Sequence, residues 1–262
     1  MVNDKYDMND LLEIMERLRG ENGCVWDREQ THKSIKQCLI EETYEVLEAI
    51  DKSDDAMMIE ELGDVLLQIV FHAQIAKEEK RFDINDVTDG IVRKMILRHP
   101  HVFGDTKVEN SDEVLSNWDK IKKEEKSITS YSDSINRIPS NLPALIRAAK
   151  VQQKASKAGF DWDNVDGVFR KIEEELNELR SAVNSGSRPE MSDEFGDLLF
   201  SVVNLSRFIK EQPELALTAS TEKFIRRFSS VEELINKSGK KFEDFNLEEL
   251  DNFWNSVKEC EK

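Results

Sequence analysis

The sequence predicts an all-α protein built from two tandem domains of four to five helices each. Three observations predict it. Apolar residues recur at i, i+3, i+4 and i+7 along nearly the whole chain, the period of helices with one buried face. No convincing run alternates apolar and polar residues as a half-buried strand does. An acidic pattern also occurs twice: Glu41, Glu42, Glu45, Glu61, Gly63 and Asp64 return as Glu174, Glu175, Glu178, Glu194, Gly196 and Asp197, every residue displaced by 133 positions. A constant displacement across two helices and the loop between them is the mark of one unit written twice.

The first helix is expected over Met8 to Arg19, with Met8, Leu11, Leu12, Met15 and Leu18 on one face and Gly20-Glu21-Asn22-Gly23 ending it. Cys24-Val25-Trp26-Asp27 reads as a loop anchored by its tryptophan. An acidic helix from about Ser34 to Ile50 follows, then a short turn, Asp51 to Asp55, and a partner helix from about Ala56 to Glu78. Leu62, Val65, Leu66, Ile69, Val70 and Ala73 are its expected core, and His32 and His72 read as lone surface or satisfied histidines. A helix over Asn85 to Arg98, the segment Arg98-His99-Pro100-His101-Val102-Phe103-Gly104-Asp105 and a helix carrying Trp118 and Lys122 complete a first domain, residues 1–125. Residues 126–142 lose periodicity and are rich in serine, asparagine and proline, so they read as a linker.

The order then repeats in a second domain, residues 143–262. A helix ends near Gly159, and Phe160-Asp161-Trp162-Asp163 echoes the first tryptophan loop. Helix Val168 to Val183, the polar loop Asn184-Ser185-Gly186-Ser187 and a helix begun by Pro189 rebuild the acidic hairpin, with Phe195, Leu198, Leu199, Val202 and Val203 as its expected core. Helices from Pro213 to Asn236 and Leu247 to Lys258 close the chain.

The acidic spacing has a chemical meaning. Residues three apart on a helix lie on nearly one face, so Glu42 pairs with Glu45 and Glu61 with Asp64, as Glu175 does with Glu178 and Glu194 with Asp197. A tight hairpin brings the two pairs together, and four converging carboxylates need a cation among them. An oxygen-only donor set suits Mg²⁺ or Mn²⁺, and Mg²⁺ commonly also recruits substrate phosphates. A single E-E-x-x-E is ordinarily a solvated helix face. Here the acids flank apolar positions, the pattern recurs in register, and Gly63 and Gly196 occupy helix interiors where glycine costs about 0.5–1 kcal/mol relative to alanine, which points to a close approach by backbone or ligand.

Cations follow the second hairpin. Lys223, Arg226 and Arg227 share one helix face; the first copy has Lys94, Leu97 and Arg98 at the equivalent positions. Trp254 and Lys258 likewise match Trp118 and Lys122, and Lys171 lies one turn before Glu175. Tryptophan faces stack on bases and lysine and arginine neutralise phosphate. Over the whole chain, however, 54 acidic residues outweigh 37 basic ones, a formal charge of −17, which disfavours nucleic-acid or membrane binding. Three cysteines without paired spacing, a polar Met1 to Asp10 and no run of about 20 apolar residues fit a cytoplasmic protein without signal peptide or membrane span. No phosphate-binding glycine loop and no zinc-binding spacing is present.

E-E-x-x-E followed by E-x-G-D, the loop Cys24 to His32 and the segment Arg98 to Gly104 resemble the MazG nucleoside triphosphate pyrophosphohydrolases. The resemblance covers nearly the whole chain in the tandem arrangement; one departure is Val25, where members commonly have proline. It implies an all-α fold related to dimeric dUTPases and phosphoribosyl-ATP pyrophosphohydrolase, and Mg²⁺-dependent cleavage of a nucleoside triphosphate to monophosphate and pyrophosphate. It further implies metal ligation by Glu175, Glu178, Glu194 and Asp197 and by Glu42, Glu45, Glu61 and Asp64, with Glu174 or Glu41 as general base or second-metal ligand. Lys171, Lys223, Arg226 and Arg227 would bind the triphosphate, and Trp254 and Lys258 the nucleoside end. Broad base tolerance and a homodimer are expected; a narrower dUTP or dCTP pyrophosphatase and a non-catalytic helical regulator are the alternatives.

Overall fold

The computed structural model describes residues 5–125 and 127–261. The first four residues of the polar N-terminal stretch, Lys126 at the start of the expected linker and Lys262 lie outside the described residues. The chain divides into two compact units, Met1–Glu125 and Lys126–Lys262, and the described residues contain helices and no strand.

In the first unit, α1 (Met8–Arg19) starts at Asp7, whose carboxylate caps the amides of Asn9 and Asp10, and is followed by a short α2 (Val25–Glu29). The long pair α3 (Lys36–Lys52) and α4 (Asp55–Glu78) forms the hairpin. Its two-residue turn works because Ser53 takes a left-handed φ of 52° and the Asp54 carboxylate caps Ala56 and Met57. α5 (Ile84–Arg98), α6 (Pro100–Phe103) and α7 (Ser111–Glu125) follow. The core gathers Met15, Ile35, Val70, Phe71 and Ile75 from α1, the segment entering α3, and α4.

The second unit begins with α8 (Tyr131–Asn136) and α9 (Ala144–Ser156). α10 (Val165–Ser185) and α11 (Arg188–Phe208) make its hairpin, joined through Gly186 at φ 76° with proline in the first turn of α11. α12 (Pro213–Lys237) and α13 (Leu247–Cys260) enclose a second core of Val231, Ile235 and Val257, capped by Phe242, Phe245, Phe253 and Trp254.

The two hairpins bury equivalent positions. Ile35, Ala49 and Val70 are buried, as are Val168, Ala182 and Val203, each 133 positions later. The left-handed turn residues Ser53 and Gly186 obey the same displacement.

Three expectations change. The stretch read as a linker contains α8, which packs on α9; Ser130 caps it and Asp133 pairs with Arg137 at 2.9 Å, local interactions that carry no long-range periodicity. The first tryptophan loop is helical from Val25, and Trp26 is 59% exposed rather than an anchor. Its counterpart Trp162 does pack, on Gly167, where a Cβ would lie 2.8 Å from the indole. Finally, Leu62, Leu66 and Ile69, placed in the core by periodicity, are exposed, and so are Phe195, Leu199 and Val202. Periodicity marks an apolar face but does not say whether this chain or another covers it.

Candidate metal centre

Each hairpin gathers carboxylates between its two helices. In the first, Glu42 and Glu45 from α3 meet Glu61 from α4, with one oxygen of each within 4.8 Å of the others. In the second, Glu175 from α10 meets Glu194 and Asp197 from α11 within the same limit. Asp64 and Glu178, the fourth ligands expected in each copy, stand outside these triads. They remain neighbours: Asp64 adds to the field on Glu42, and Glu178 to that on Glu194.

Crowding shows in the protonation equilibria. Burial, then the charges of Asp64 and Glu45, push the Glu42 carboxyl above the ordinary glutamate range. Burial and Glu45 do the same to Glu61, and burial with Glu178, Glu175 and Asp197 to Glu194. Carboxylates held together against their own repulsion, all with oxygen donors, fit a hard divalent cation such as Mg²⁺ or Mn²⁺.

The copies differ in what surrounds the acids. Lys171 Nζ lies 2.6 Å from Glu175 Oε1 and 2.8 Å from Glu174 Oε1; these contacts raise the lysine pKa. In the first copy the equivalent position is Cys38, and Glu41 instead accepts a hydrogen bond of 2.6 Å from Gln37 Nε2.

Of the six residues expected on the substrate side, Lys171 is the one the structure brings to the carboxylates. Lys223 and Arg226 are exposed on α12, which packs against α13 and α9. Arg227 donates to Glu261 at 2.7 Å and lies over Trp254, its guanidinium carbon 6.0 Å from the ring centre. Trp254 packs on the second core and on Phe224, and Lys258 is exposed. The helix with the acids and the helix with the cations share a neighbour in α9, which packs against both α11 and α12. Gly63 and Gly196 meet no approach from this chain, since a Cβ at either would find no atom within 4 Å. Open space, not backbone crowding, lies beside these glycines.

Other interactions were not legible in the sequence. His32 and His72 are a stacked pair with Nδ1 atoms 2.8 Å apart, and burial with His32 holds His72 below the ordinary histidine range. Arg98 is buried against Glu125 at 2.7 Å and over Trp118. The shared order, an arginine followed by a tryptophan late in each repeat (Arg98 and Trp118, Arg227 and Trp254), is the sequence signal for that cluster.

The model of the MazG nucleotide pyrophosphohydrolase domain matches residues 30–103 and again 164–233. The chain belongs to the MazG family. Each MazG repeat encloses one hairpin and one carboxylate triad. The chain is 51% identical to a nucleoside triphosphate pyrophosphohydrolase/pyrophosphatase MazG of Thermotoga maritima, over 95% of this chain and 94% of the relative. It is 46% identical to a nucleoside triphosphate pyrophosphohydrolase of Escherichia coli over 96% and 97% of the two chains. An uncharacterized protein, YabN, of Bacillus subtilis is 50% identical over 95% of this chain, which spans 51% of that relative.

Proposed function

We propose that this chain is a Mg²⁺-dependent nucleoside triphosphate pyrophosphohydrolase of broad base tolerance, releasing a nucleoside monophosphate and pyrophosphate. The observation that carries the reading is the carboxylate triad inside each of the two family matches. In the second repeat Glu175, Glu194 and Asp197 would hold the cation with Glu178 beside them; in the first, Glu42, Glu45 and Glu61 with Asp64. The bound ion polarises phosphate and makes water a better nucleophile at neutral pH.

The chain's own groups do the rest. A water oxygen adds to phosphorus, the bond to the α,β-bridging oxygen breaks, and pyrophosphate leaves with that oxygen. Glu174, or Glu41 in the first repeat, accepts the proton of the attacking water or takes part in holding a second cation. Lys171, Lys223, Arg226 and Arg227 neutralise the polyphosphate, and Trp254 and Lys258 serve the nucleoside end. Arg227 changes partner in this scheme, because in the structure it is held by Glu261.

The working unit we propose is a homodimer. Leu62, Leu66 and Ile69 form an exposed i, i+4, i+7 stripe on α4, and Phe195, Leu199 and Val202 form its copy on α11; the six are 37–53% exposed. Apolar faces repeated at equivalent positions need covering, and a second copy supplies matching ones. None of the described helices is long and apolar enough to cross a membrane. The three free cysteines support a cytoplasmic location, and the net charge of −17 supports a nucleotide rather than nucleic acid as partner.

The test is pyrophosphate release from a panel of ribo- and deoxyribonucleoside triphosphates, with Mg²⁺ and with excess chelator. Metal-dependent release across all bases is expected. Release from dUTP or dCTP alone would make this a base-specific enzyme, and release from none a non-catalytic regulator.

A further inference from the structure

We propose that Lys171 is a resident counter-ion that competes with a divalent cation for Glu175, so that the second carboxylate triad binds the cation more weakly than it would without that lysine. The inference rests on the metal-site reading above. Glu175 is the most buried carboxylate of either triad, at 4% exposure, and it carries a triad oxygen. The Lys171 ammonium sits 2.6 Å from that carboxylate and also bridges to Glu174. A cation bound to the same carboxylate has to displace the ammonium or share the site with its charge, and either costs affinity. The displaced ammonium is then available to a phosphate oxygen.

The first triad provides the internal comparison. Glu42 occupies the position equivalent to Glu175, and the position equivalent to Lys171 is Cys38, which bears no charge to offer it. The acids around Glu42 repel one another without an ammonium from that position. Two members of each triad correspond, Glu42 with Glu175 and Glu61 with Glu194, and the first of these pairs has an ammonium beside it in the second repeat alone.

Mn²⁺ binding to the full chain, followed by loss of the free-ion electron paramagnetic resonance signal, tests this. In a Glu42→Gln, Glu61→Gln background only the second triad is intact. There Lys171→Met is expected to tighten Mn²⁺ binding about tenfold, since a charge-assisted contact of this kind is worth on that order, whereas Lys171→Arg retains the weak binding. In the reciprocal background, Glu194→Gln with Asp197→Asn, Cys38→Lys is expected to weaken binding at the first triad. Unchanged Mn²⁺ affinity in Lys171→Met overturns the proposal. If that variant does not fold, unchanged affinity in Cys38→Lys overturns it instead. Failure of the unaltered protein to bind Mn²⁺ at all would sink the metal-site reading, a distinct result.

Discussion

Arg98 and Glu125 are joined by a 2.7 Å ion pair that ties the end of α5 to the end of α7, with Trp118 beneath the guanidinium. Arg227, Glu261 and Trp254 repeat the arrangement between α12 and α13, again at 2.7 Å. The repetition identifies a device for holding the last helix of each repeat. It also places one of the cations expected to bind triphosphate inside a structural ion pair.

The two copies of this device are not equally protected. The Arg98 side chain is 7% exposed and that of Arg227 is 19% exposed, and their acids are 31% and 36% exposed. Arg98→Met is expected to cost about 1.5–3 kcal/mol in urea unfolding, the range for a hydrogen bond to a charged group. Arg227→Met is expected to cost less, because solvent screens its partner. Equal losses would show that burial does not set the strength of the pair.

Ser53 adopts a left-handed conformation at the turn where the second repeat has Gly186. A non-glycine residue there carries strain of about 1–2 kcal/mol. Ser53→Gly is expected to stabilise the protein and Gly186→Ala to destabilise it, each by about 1 kcal/mol after the opposing chain-entropy term. Thermal unfolding of the two single variants reads both signs.

The raised carboxyls predict how metal and pH act together. Glu42, Glu61 and Glu194 bind protons more tightly in the folded protein than in the unfolded chain. Folding stability is therefore lost as pH rises from the ordinary glutamate range through these raised values, and the full penalty stands at neutral pH. A bound divalent ion relieves that penalty. The rise in melting temperature on adding Mg²⁺ is expected to be large at pH 7.5 and to vanish toward pH 4.5. An equal rise at both values would show that these carboxylates do not hold the ion.

The repeats are expected to differ in turnover. Glu45→Ala and Glu194→Ala each remove one member of a triad. Arg226, proposed above to neutralise the polyphosphate, stands in the second repeat where the first has Leu97, and a charge-assisted contact to phosphate is worth about 1.5–3 kcal/mol. Glu194→Ala is thus expected to cost most of the pyrophosphate release and Glu45→Ala much less. The opposite order would assign the chemistry to the first repeat.

Association is expected to follow the exposed stripes. Leu66→Glu and Leu199→Glu each put a charge in the middle of one stripe, and a carboxylate is poorly tolerated in an apolar contact. Sedimentation velocity is expected to show a smaller species for at least one of them than for the unaltered chain. A monomeric unaltered protein would remove the dimer from the scheme.

The hairpins, their acidic faces and their duplication were legible in the sequence alone, because helical period, caps and turn residues are local and the 133-residue displacement is a fact of the sequence. The tight turns at Ser53 and Gly186 and the proline start of α11 belong to the same class. Only the tertiary structure decided which carboxylates come within reach of one another: Glu178 and Asp64 share helix faces with their neighbours and still fall outside the triads. Only the structure separated Leu62, Leu66 and Ile69 from Val70 on the same helix, leaving the first three exposed and the last buried. Amphipathic spacing says where apolar side chains lie on a helix, whereas their burial depends on which other helices reach that face. The contact between Lys171 and Glu175 shows the limit from the other side. Its spacing of four residues was visible from the start, but its place against a buried member of the triad came from the packing of α10 on α11.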